Sequence, residues 1–355
     1  MSSLETIARL SHRFGTPRYV KGGGGNTSCK SADTLWVKPS GTTLAGMAPA
    51  TFVALDRAKI ARLYEVAAPD DASAREALVK DIMAAAVLPD SAGRPSVEAP
   101  LHDSFQAVYV VHTHPALVNG LTCAAGGKAA CAQLFPDALW VDYIDPGYTL
   151  CMHVRQAIGA YRAARGREPS MVLLKNHGVF IAGDEPEAIE RQYDALLGTL
   201  AGRYRQAGVA MELPIGPDPE AAVADAATER IRQAVGTDDA AAVRVGGAFD
   251  VFDGPVTPDH IVYAKAYPLR GQVTRQAVAA YAERHGYPPR VVAADGMVAG
   301  LGTSPTRADL ALELARDGAL VKQLAAAFGG LEYMTQRALD FIDHWEVESY
   351  RQKQI

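Results

Sequence analysis

Three features that define other protein classes are missing from this sequence: a disulfide framework, a basic block and a long apolar run. The four cysteines form no C-x-x-C pair and no regular spacing, which predicts unpaired thiols in a reducing cytoplasm. The net charge is −5 and the charges are dispersed, so we expect no nucleic-acid partner. No stretch approaches the ~18 apolar residues of a membrane span, and the N-terminal segment lacks an apolar signal-peptide core. We therefore expect a cytoplasmic protein that does not bind a membrane.

Two nucleotide-binding signatures are also missing. The four glycines at residues 22–25 are not followed by Gly-Lys-Ser or Gly-Lys-Thr, so they do not form a Walker A loop. No Gly-x-Gly-x-x-Gly motif follows a predicted strand, and that motif marks a dinucleotide site. We therefore expect no dinucleotide cofactor.

The sequence does contain a long alternation of short apolar strands and amphipathic helical patterns, which predicts an α/β protein. Residues 213–219 contain three prolines and cannot form regular structure. After Gly236 the succession of short strands starts again, beginning at residues 243–252 and continuing with a predicted strand at 261–264. We therefore predict two domains, residues 1–238 and 239–355. Two roles stay open for the second: a contact between subunits, or a lid.

A pair of histidines at the end of an apolar strand is the strongest local signal of chemistry. His112 and His114 stand two residues apart, and residues two apart on a strand project from the same face. Two imidazoles on one face can bind one divalent cation. Pro115 then ends the strand, because it has no N–H to donate. Such a pair is as often structural, so its interpretation depends on what surrounds it.

Two further residues complete a candidate metal site. His177 lies in a short polar turn between two apolar strands, where it is either a third ligand or a solvated loop residue. Glu98 precedes the helix before the His112 strand, where it is either a helix cap or an acid/base. Three histidines leave an open coordination position, which is typical of catalytic zinc, whereas structural sites have four ligands.

Two turns have the composition of an anion-binding site. Four consecutive glycines are entropically costly, so residues 22–25 either bring bare N–H groups close to an anion or form a flexible turn. Residues 39–43 are rich in hydroxyls and follow Lys38. A separate internal similarity links residues 172–183 with 291–302, each a strand, a polar turn, a second strand and a helix. In this weak repeat Asp295 stands at the position expected for His177.

Five short motifs follow one another in a fixed order: Gly-Gly-Gly-Asn-Thr-Ser at 23–28, Lys-Pro-Ser-Gly at 38–41, Pro-Ser-Val-Glu at 95–98, His-Thr-His-Pro at 112–115 and Asn-His-Gly at 176–178. As an ordered set they resemble the class II aldolase/adducin family, over about residues 5–210. This family includes fuculose- and rhamnulose-phosphate aldolases and ribulose-phosphate 4-epimerase. The segments at 256–260, 327–330 and 343–348 resemble the second part of the aldolase half of bifunctional rhamnulose-phosphate aldolase/dehydrogenases, without the dehydrogenase domain.

The resemblance implies a three-layer α/β/α sandwich around a mostly antiparallel sheet, plus a smaller C-terminal α/β domain. It also implies a homo-oligomer, either a tetramer or a dimer. The implied metal ligands are His112, His114 and His177, and the implied acid/base is Glu98. The residues implied to bind the phosphate are Asn26, Ser40, Gly41 and Ser96. Zinc is the expected metal, with manganese and cobalt as alternatives. The implied activity is retro-aldol cleavage of a ketose phosphate, or a related hydroxy-keto sugar or sugar acid, through a metal-bound enediolate.

Two departures from the family pattern bear on the substrate. Fuculose-phosphate aldolases have Ser-Ser-Glu where this chain has Ser96, Val97 and Glu98, so one phosphate donor is missing. Either Lys38 or Arg94 compensates, or the anion is a carboxylate. No tyrosine aligns with the proton donor of the small fuculose aldolases, and Tyr143 and Tyr148 are candidates by location only.

Four alternatives to the aldolase stay open, one of which is a pure metal or sugar sensor. The same site suits a sugar-phosphate 4-epimerase or a decarboxylase of 3-keto-acid phosphates. A non-catalytic, adducin-like interaction protein is the alternative of a different class. The presence of all three histidines and of Glu98 favours an enzyme.

Overall fold

A seven-stranded sheet organises the first half of the chain. The computed structural model describes residues 2–345. The strands are β1 (Asn26–Lys30), β2 (Thr34–Val37), β3 (Val53–Asp56), β4 (Tyr109–Thr113), β5 (Leu139–Val141), β6 (Met171–Leu174) and β7 (Gly178–Gly183). They lie in the order β3-β2-β1-β4-β7-β6-β5. All neighbours are antiparallel except β5 and β6, so the sheet is mostly antiparallel as predicted.

Helices cover both faces of this sheet. They are α1 (Ser3–Phe14), α2 (Arg57–Glu65), α3 (Ala72–Ala86), α4 (Ala99–Asp103), α5 (Ala116–Thr122), α6 (Gly127–Leu134), α7 (Tyr148–Arg165) and α8 (Pro186–Gln206). On one face, α4 and α7 pack against alternate residues of the strands, among them Val110, Val172 and Phe180. On the other face Tyr193 of α8 contacts Phe14 of α1, with ring centroids 4.3 Å apart, and bonds to Thr113 of β4. The predicted three-layer sandwich is confirmed.

A smaller sheet organises the C-terminal part of the described chain. Its strands are β8 (Ala242–Gly247), β9 (Leu269–Arg270), β10 (Val291–Ala294) and β11 (Met297–Gly302), in the order β8-β11-β10-β9. Its helices are α9 (Ala221–Val235), α10 (Pro258–Ala264), α11 (Arg275–His285), α12 (Pro305–Ala325) and α13 (Gln336–His344). Only β9 and β10 are parallel. The smaller C-terminal α/β region that the sequence predicts is therefore present.

By packing, the chain forms two compact units. The first holds the residues up to Val118 together with Lys128–Leu200, and the second holds Asn119–Gly127 and the residues from Ala201 onward. The second sheet starts at Ala242, just beyond residue 238. This division does not test whether residues 1–238 and 239–355 are separate domains, so that boundary stays a prediction.

One predicted strand is wrong. Residues 261–264 belong to helix α10, which Thr257 precedes as N-cap and Pro258 begins. Proline suits the first helical position, because its fixed φ is helical and its missing N–H would be unpaired there. A run of four apolar residues does not distinguish a strand from a buried helix. The predicted C-terminal helix is confirmed from Gln336 to His344, and its remaining residues lie outside the described part of the chain.

The cysteines are as the sequence predicted. All four are buried and none forms a disulfide. Burial raises the pKa of the Cys29 and Cys151 thiols to about 12 and that of Cys131 to about 11, so these groups stay protonated at neutral pH. Within residues 2–345 every helix is too short or too polar to cross a bilayer.

Candidate metal centre

Strand β4 carries the first of three converging histidines. Its residues alternate between the two faces of the sheet, so Thr113 points to α8 while His112 points to the face that α4 and α7 cover. His112 is fully buried. The strand ends at Thr113, and His114 follows directly, before Pro115. His112 and His114 still converge, because their Nε2 atoms are 2.9 Å apart.

The third histidine comes from the hairpin that joins β6 and β7. Asn176 in this turn has a φ of 52°, a left-handed conformation that asparagine adopts more readily than most residues. The turn places Nε2 of His177 at 3.3 Å from Nε2 of His112. The structure therefore brings together the three predicted ligands, with their ligand atoms all within 4.8 Å of one another.

Two neighbours from β7 fix the His112 ring. Its Nδ1 lies 3.0 Å from the carbonyl oxygen of Val179. A carbonyl only accepts, so Nδ1 donates to it, and Nε2 is the ring atom that remains to bind a metal. The ring also stacks on Phe180, with centroids 3.8 Å apart and planes 9° apart. The carbonyl contact and the stacking contact therefore hold the His112 ring in one orientation before any ligand binds.

Glu98 supplies a carboxylate to the same cluster. Its Oε1 lies 3.2 Å from Nε2 of His112 and 3.8 Å from Nε2 of His177. Burial raises the pKa of this carboxyl, but the neighbouring histidines, His112 first, outweigh burial and hold the pKa well below its usual range. Glu98 is therefore ionised at neutral pH and partly exposed, so a bound molecule can reach it.

This donor set fits a divalent cation. Metal–nitrogen distances of about 2.0–2.1 Å in a tetrahedral site put ligand nitrogens roughly 3.3 Å apart, close to the 2.9 and 3.3 Å observed. The Nε2 of His112 faces two imidazole nitrogens and a carboxylate oxygen. Such a concentration of lone pairs is repulsive unless a proton or a cation lies among them. Three nitrogens and one oxygen are ligands that Zn²⁺ accepts.

A fourth histidine lies four residues after Glu98, in α4. His102 is fully buried, and its Nδ1 lies 2.8 Å from Oγ of Ser28 on β1. Burial lowers the pKa of His102 to about 3, so this imidazole is neutral at pH 7. Its backbone oxygen accepts from the buried Lys30 at 2.6 Å. Burial also lowers the pKa of Lys30, to about 7.

The predicted anion-binding turn at residues 39–43 lies beside the segment that contains Ser96. The N–H of Ser40 donates to the carbonyl of Arg94 at 2.9 Å, and Pro39 and Pro95 form an isolated β-bridge. Gly41 has a φ of 82°, which favours glycine. Ser96 accepts a bond from the N–H of Glu98 through its Oγ. Ser40, Gly41 and Ser96 are thus next to the Glu98 end of the cluster, and their phosphate role stays a prediction.

Asn26 joins the cluster from β1, where it pairs with His112. It is buried, and no group among residues 2–345 bonds its Oδ1. The preceding Gly25 has a φ of 73°. A Cβ there would lie 2.5 Å from Val20 and 2.9 Å from the His112 carbonyl. Close packing against β4 therefore accounts for this one glycine of residues 22–25 without an anion.

Sequence reasoning missed three groups that support the cluster: Phe180, the carbonyl of Val179, and His102. The first two depend on the register between β4 and β7, which joins residues far apart in the chain. His102 had a local signal, because it stands four residues after Glu98, across one turn of α4.

The family to which the chain belongs follows from a comparison with known protein families. A family model, the class II aldolase and adducin N-terminal domain, matches residues 5–196. The chain belongs to the class II aldolase/adducin family. Comparison with curated proteins gives no match.

Several solved structures are similar to the first part of the chain. The class II aldolase domain of a conserved protein from Thermoplasma acidophilum is 21% identical, covers 57% of this chain and 93% of its own, and has a TM-score of 0.49. YgbL from Escherichia coli, described as a putative aldolase/epimerase/decarboxylase, is 19% identical over 56% and 86%, with a TM-score of 0.39. L-Fuculose-1-phosphate aldolase from Thermus thermophilus is 15% identical over 59% and 99%, with a TM-score of 0.38.

Proposed function

We propose that this protein is a divalent-metal-dependent aldolase that cleaves a ketose phosphate or a related hydroxy-keto sugar derivative. The observation that carries the proposal is the convergence of the Nε2 atoms of His112, His114 and His177 beside the carboxylate of Glu98. Membership of the class II aldolase/adducin family supports this proposal. Zinc is the metal that suits this donor set best, and manganese or cobalt are alternatives.

In this proposal His112, His114 and His177 hold the metal. When bound, a divalent cation polarises a carbonyl and stabilises negative charge that develops on neighbouring oxygens. The Val179 carbonyl and the Phe180 ring keep His112 oriented throughout. Ser40, Gly41, Ser96 and Asn26 bind the anionic end of the substrate, with Lys38 close to the same turn.

Glu98 moves the proton. Its carboxylate takes the proton of the C4 hydroxyl, the C3–C4 bond breaks, and the aldehyde fragment leaves. The electron pair of that bond remains on the other fragment as an enediolate. Glu98 then returns the proton to C3 and regains its charge, so one group serves as base and as acid. The low pKa of Glu98 keeps it ionised and ready to accept.

Two other reactions use the same groups. A 4-epimerase would break the same bond and re-form it on the opposite face, so it would release no aldehyde. A decarboxylase would release carbon dioxide from a 3-keto-acid phosphate. Trapping aldehyde, carbon dioxide or a 4-epimer after incubation with each substrate class separates the three reactions.

The first test is the metal content of the purified protein beside the variants His114→Ala and His177→Ala. We expect about one equivalent of zinc, manganese or cobalt per chain in the wild type and little in either variant, because both remove a ligand. Incubation with ketose phosphates and with hydroxy-keto acids should then yield an aldehyde. Absence of metal in the wild type, even after reconstitution, would leave the non-catalytic, adducin-like protein as the better interpretation.

The proposal extends to assembly and location. We expect a homo-oligomer, a tetramer or a dimer, which light scattering on the eluted protein measures directly. We also expect a cytoplasmic protein, in keeping with four buried, unpaired cysteines.

A further inference from the structure

The second unit contains a polar cavity that the aldolase proposal does not use. Its volume is about 480 Å³, which lies within the range of about 300–1,000 Å³ typical of small-molecule sites. Residues from the end of α10, the end of α11 and the helix α13 line it, among them Lys265, Tyr267, Arg284, His285, Tyr287 and Asp340. The metal cluster described above lies in the other unit and shares no residue with this lining.

Aromatic rings form one wall of the cavity. Tyr267 and His285 stack with their centroids 4.5 Å apart and their planes 23° apart. His285 also contacts Tyr281, with centroids 4.6 Å apart, and the hydroxyl of Tyr281 donates to the carbonyl of Tyr267. The hydrogen bond and the ring contacts therefore hold this aromatic wall in place before a ligand binds.

A lysine in an unusual backbone conformation stands beside this wall. Lys265 has a φ of 63° and a ψ of 167°, a region that is almost confined to glycine. Among residues 2–345 the other two non-glycine residues with positive φ are Asn176 and Asp295, and these residue types tolerate such angles. The strained backbone positions the Lys265 ammonium 2.7 Å from Asp343 and 4.8 Å from the centre of the Tyr287 ring. A glycine would avoid the strain, so the side chain itself is what the position needs.

The charges that line the cavity cancel. Lys265 and Arg284 are basic, and Asp340 and Asp343 are acidic. Partial burial and then Arg284 lower the pKa of His285, so its imidazole is neutral at pH 7. A phosphate would meet two carboxylates as well as two cations, which disfavours a dianion. Planar donors and acceptors set around flat aromatic faces instead suit a ligand with many hydroxyls and apolar C–H faces.

We propose that this cavity binds an uncharged monosaccharide or similar polyol. The sugar ring packs against the stacked pair of Tyr267 and His285, both of which line the cavity, while Asp340 accepts from its hydroxyls and Arg284 donates to them. The site is independent of the aldolase proposal, because it shares no residue with the metal cluster.

The test is a binding titration on the full-length protein with unphosphorylated aldoses and ketoses of three to six carbons. Saturation-transfer NMR detects weak binding, and calorimetry gives the dissociation constant. Two variants test the lining of the cavity. Tyr267→Ala removes the ring against which the sugar packs. Asp340→Asn removes a carboxylate, and because Asp340 is exposed this change should not unfold the chain. Glu283→Gln is the matched control, since it is exposed on α11 and does not line the cavity.

We expect saturable binding in the wild type, at least tenfold weaker binding in Tyr267→Ala and Asp340→Asn, and no change in Glu283→Gln. Binding should persist in His114→Ala, which separates this site from the metal centre and makes the result independent of the aldolase proposal. No saturable binding of any neutral sugar would overturn the proposal. So would binding that disappears in His114→Ala but survives Asp340→Asn. Tighter binding of sugar phosphates that Arg284→Gln abolishes would overturn the assignment of an uncharged ligand.

Discussion

The two sheets contain the same four-stranded module, and only one of the two carries histidines. The first module is β4-β7-β6-β5 and the second is β8-β11-β10-β9. In each, the outer pair is parallel and the other two pairs are antiparallel. A helix links the two parallel strands, and a helix of 21 residues that begins at a proline follows the hairpin, α8 in one case and α12 in the other. The weak repeat predicted at residues 172–183 and 291–302 is therefore part of a larger one.

The strand registers show what differs. In the first module His112 pairs with Phe180, Phe180 with Val172, and Val172 with Leu139. In the second module the corresponding row is Val245, Ala299, Val292 and Leu269. Valine thus stands in place of His112, and alanine in place of the Phe180 ring. By the same register Gly247 stands in place of His114.

The hairpin turns differ in length. In the first module Leu174 pairs with Gly178, so three residues form the turn and His177 is the last of them. In the second module Ala294 pairs with Met297, so only two residues form it. The prediction that Asp295 occupies the position of His177 is wrong, because Gly296 directly precedes Met297 as His177 precedes Gly178. Asp295 instead shares the left-handed conformation of Asn176, with a φ of 50° against 52°. One topology therefore supports a metal centre only where strand ends and turn provide the ligands.

The largest effect should come from Glu98, whose carboxylate contacts His112 and His177. We expect Glu98→Gln to lower turnover by about 10²–10⁴-fold, because an amide cannot accept and return a proton. Metal content should stay near that of the wild type, since the three histidines remain. Steady-state kinetics and elemental analysis measure both. Asp295→Asn in the turn of the second module is the matched control and should leave turnover unchanged; equal losses in the two variants would contradict the role of Glu98.

The second-largest effect concerns a buried lysine on strand β1. This strand pairs with β4 and continues the sheet beyond the first module, whereas β8 is the edge strand of the second sheet. Lys30 on β1 has a pKa of about 7 when folded and 10.5 when unfolded. Between those values the unfolded chain binds more protons, so stability should rise with pH from about 7 to 10.5. The free energy of unfolding of the wild type minus that of Lys30→Met should therefore rise by a few kcal/mol over this range.

The control for this prediction is the exposed Lys128, studied as Lys128→Met. The free energy of unfolding of the wild type minus that of Lys128→Met should not change over the same pH range. Urea denaturation at several pH values gives both curves, and taking differences removes the contribution of cysteines and tyrosines. A flat difference for Lys30→Met as well would show that Lys30 is charged in the folded protein.

The third effect tests why the first module needs a glycine where the second has Met297. A Cβ at Gly178 would overlap the carbonyl oxygen of Thr113 and lie 2.6 Å from Cδ2 of His114. Gly178→Ala should therefore displace a ligand and weaken metal binding by about 10–100-fold, as changes next to metal ligands do. Competition with a chelating dye measures the affinity. Met297→Ala should leave it unchanged, and an unaffected Gly178→Ala would mean that His114 is free to move.

The smallest effect concerns the second module, where Gly247 replaces His114. A Cβ there would overlap the carbonyl oxygen of Gly216, in a proline-rich segment that also bonds to Ala248. Gly247→Ala should cost about 1–3 kcal/mol of stability and leave metal content unchanged. The midpoint of urea unfolding measures the loss. Gly159→Ala in α7, where a Cβ has no neighbour within 4 Å, should be neutral or stabilising, and similar shifts for both would contradict the prediction.

Much of the fold and of the metal centre could be predicted from local patterns. Short apolar runs predict most strands, and His112 and His114 at one strand end predict a paired contact. His177 was predicted because a polar turn between two apolar strands must lie at a sheet edge. What failed or was missed depends on contacts between distant residues: the stacking of Phe180 depends on the β4–β7 register, and the helix at 258–264 depends on its burial in the second unit.

The bond from His112 to Val179 has an evolutionary consequence. The group that orients this histidine is a main-chain carbonyl, which every amino acid at position 179 would supply. No substitution at position 179 removes this carbonyl, so few single mutations can disrupt the orientation of His112. Descendants of this chain that abandon the metal should therefore differ at the histidines themselves, or in the length of the hairpin turn, while position 179 varies freely among residues that suit a buried strand.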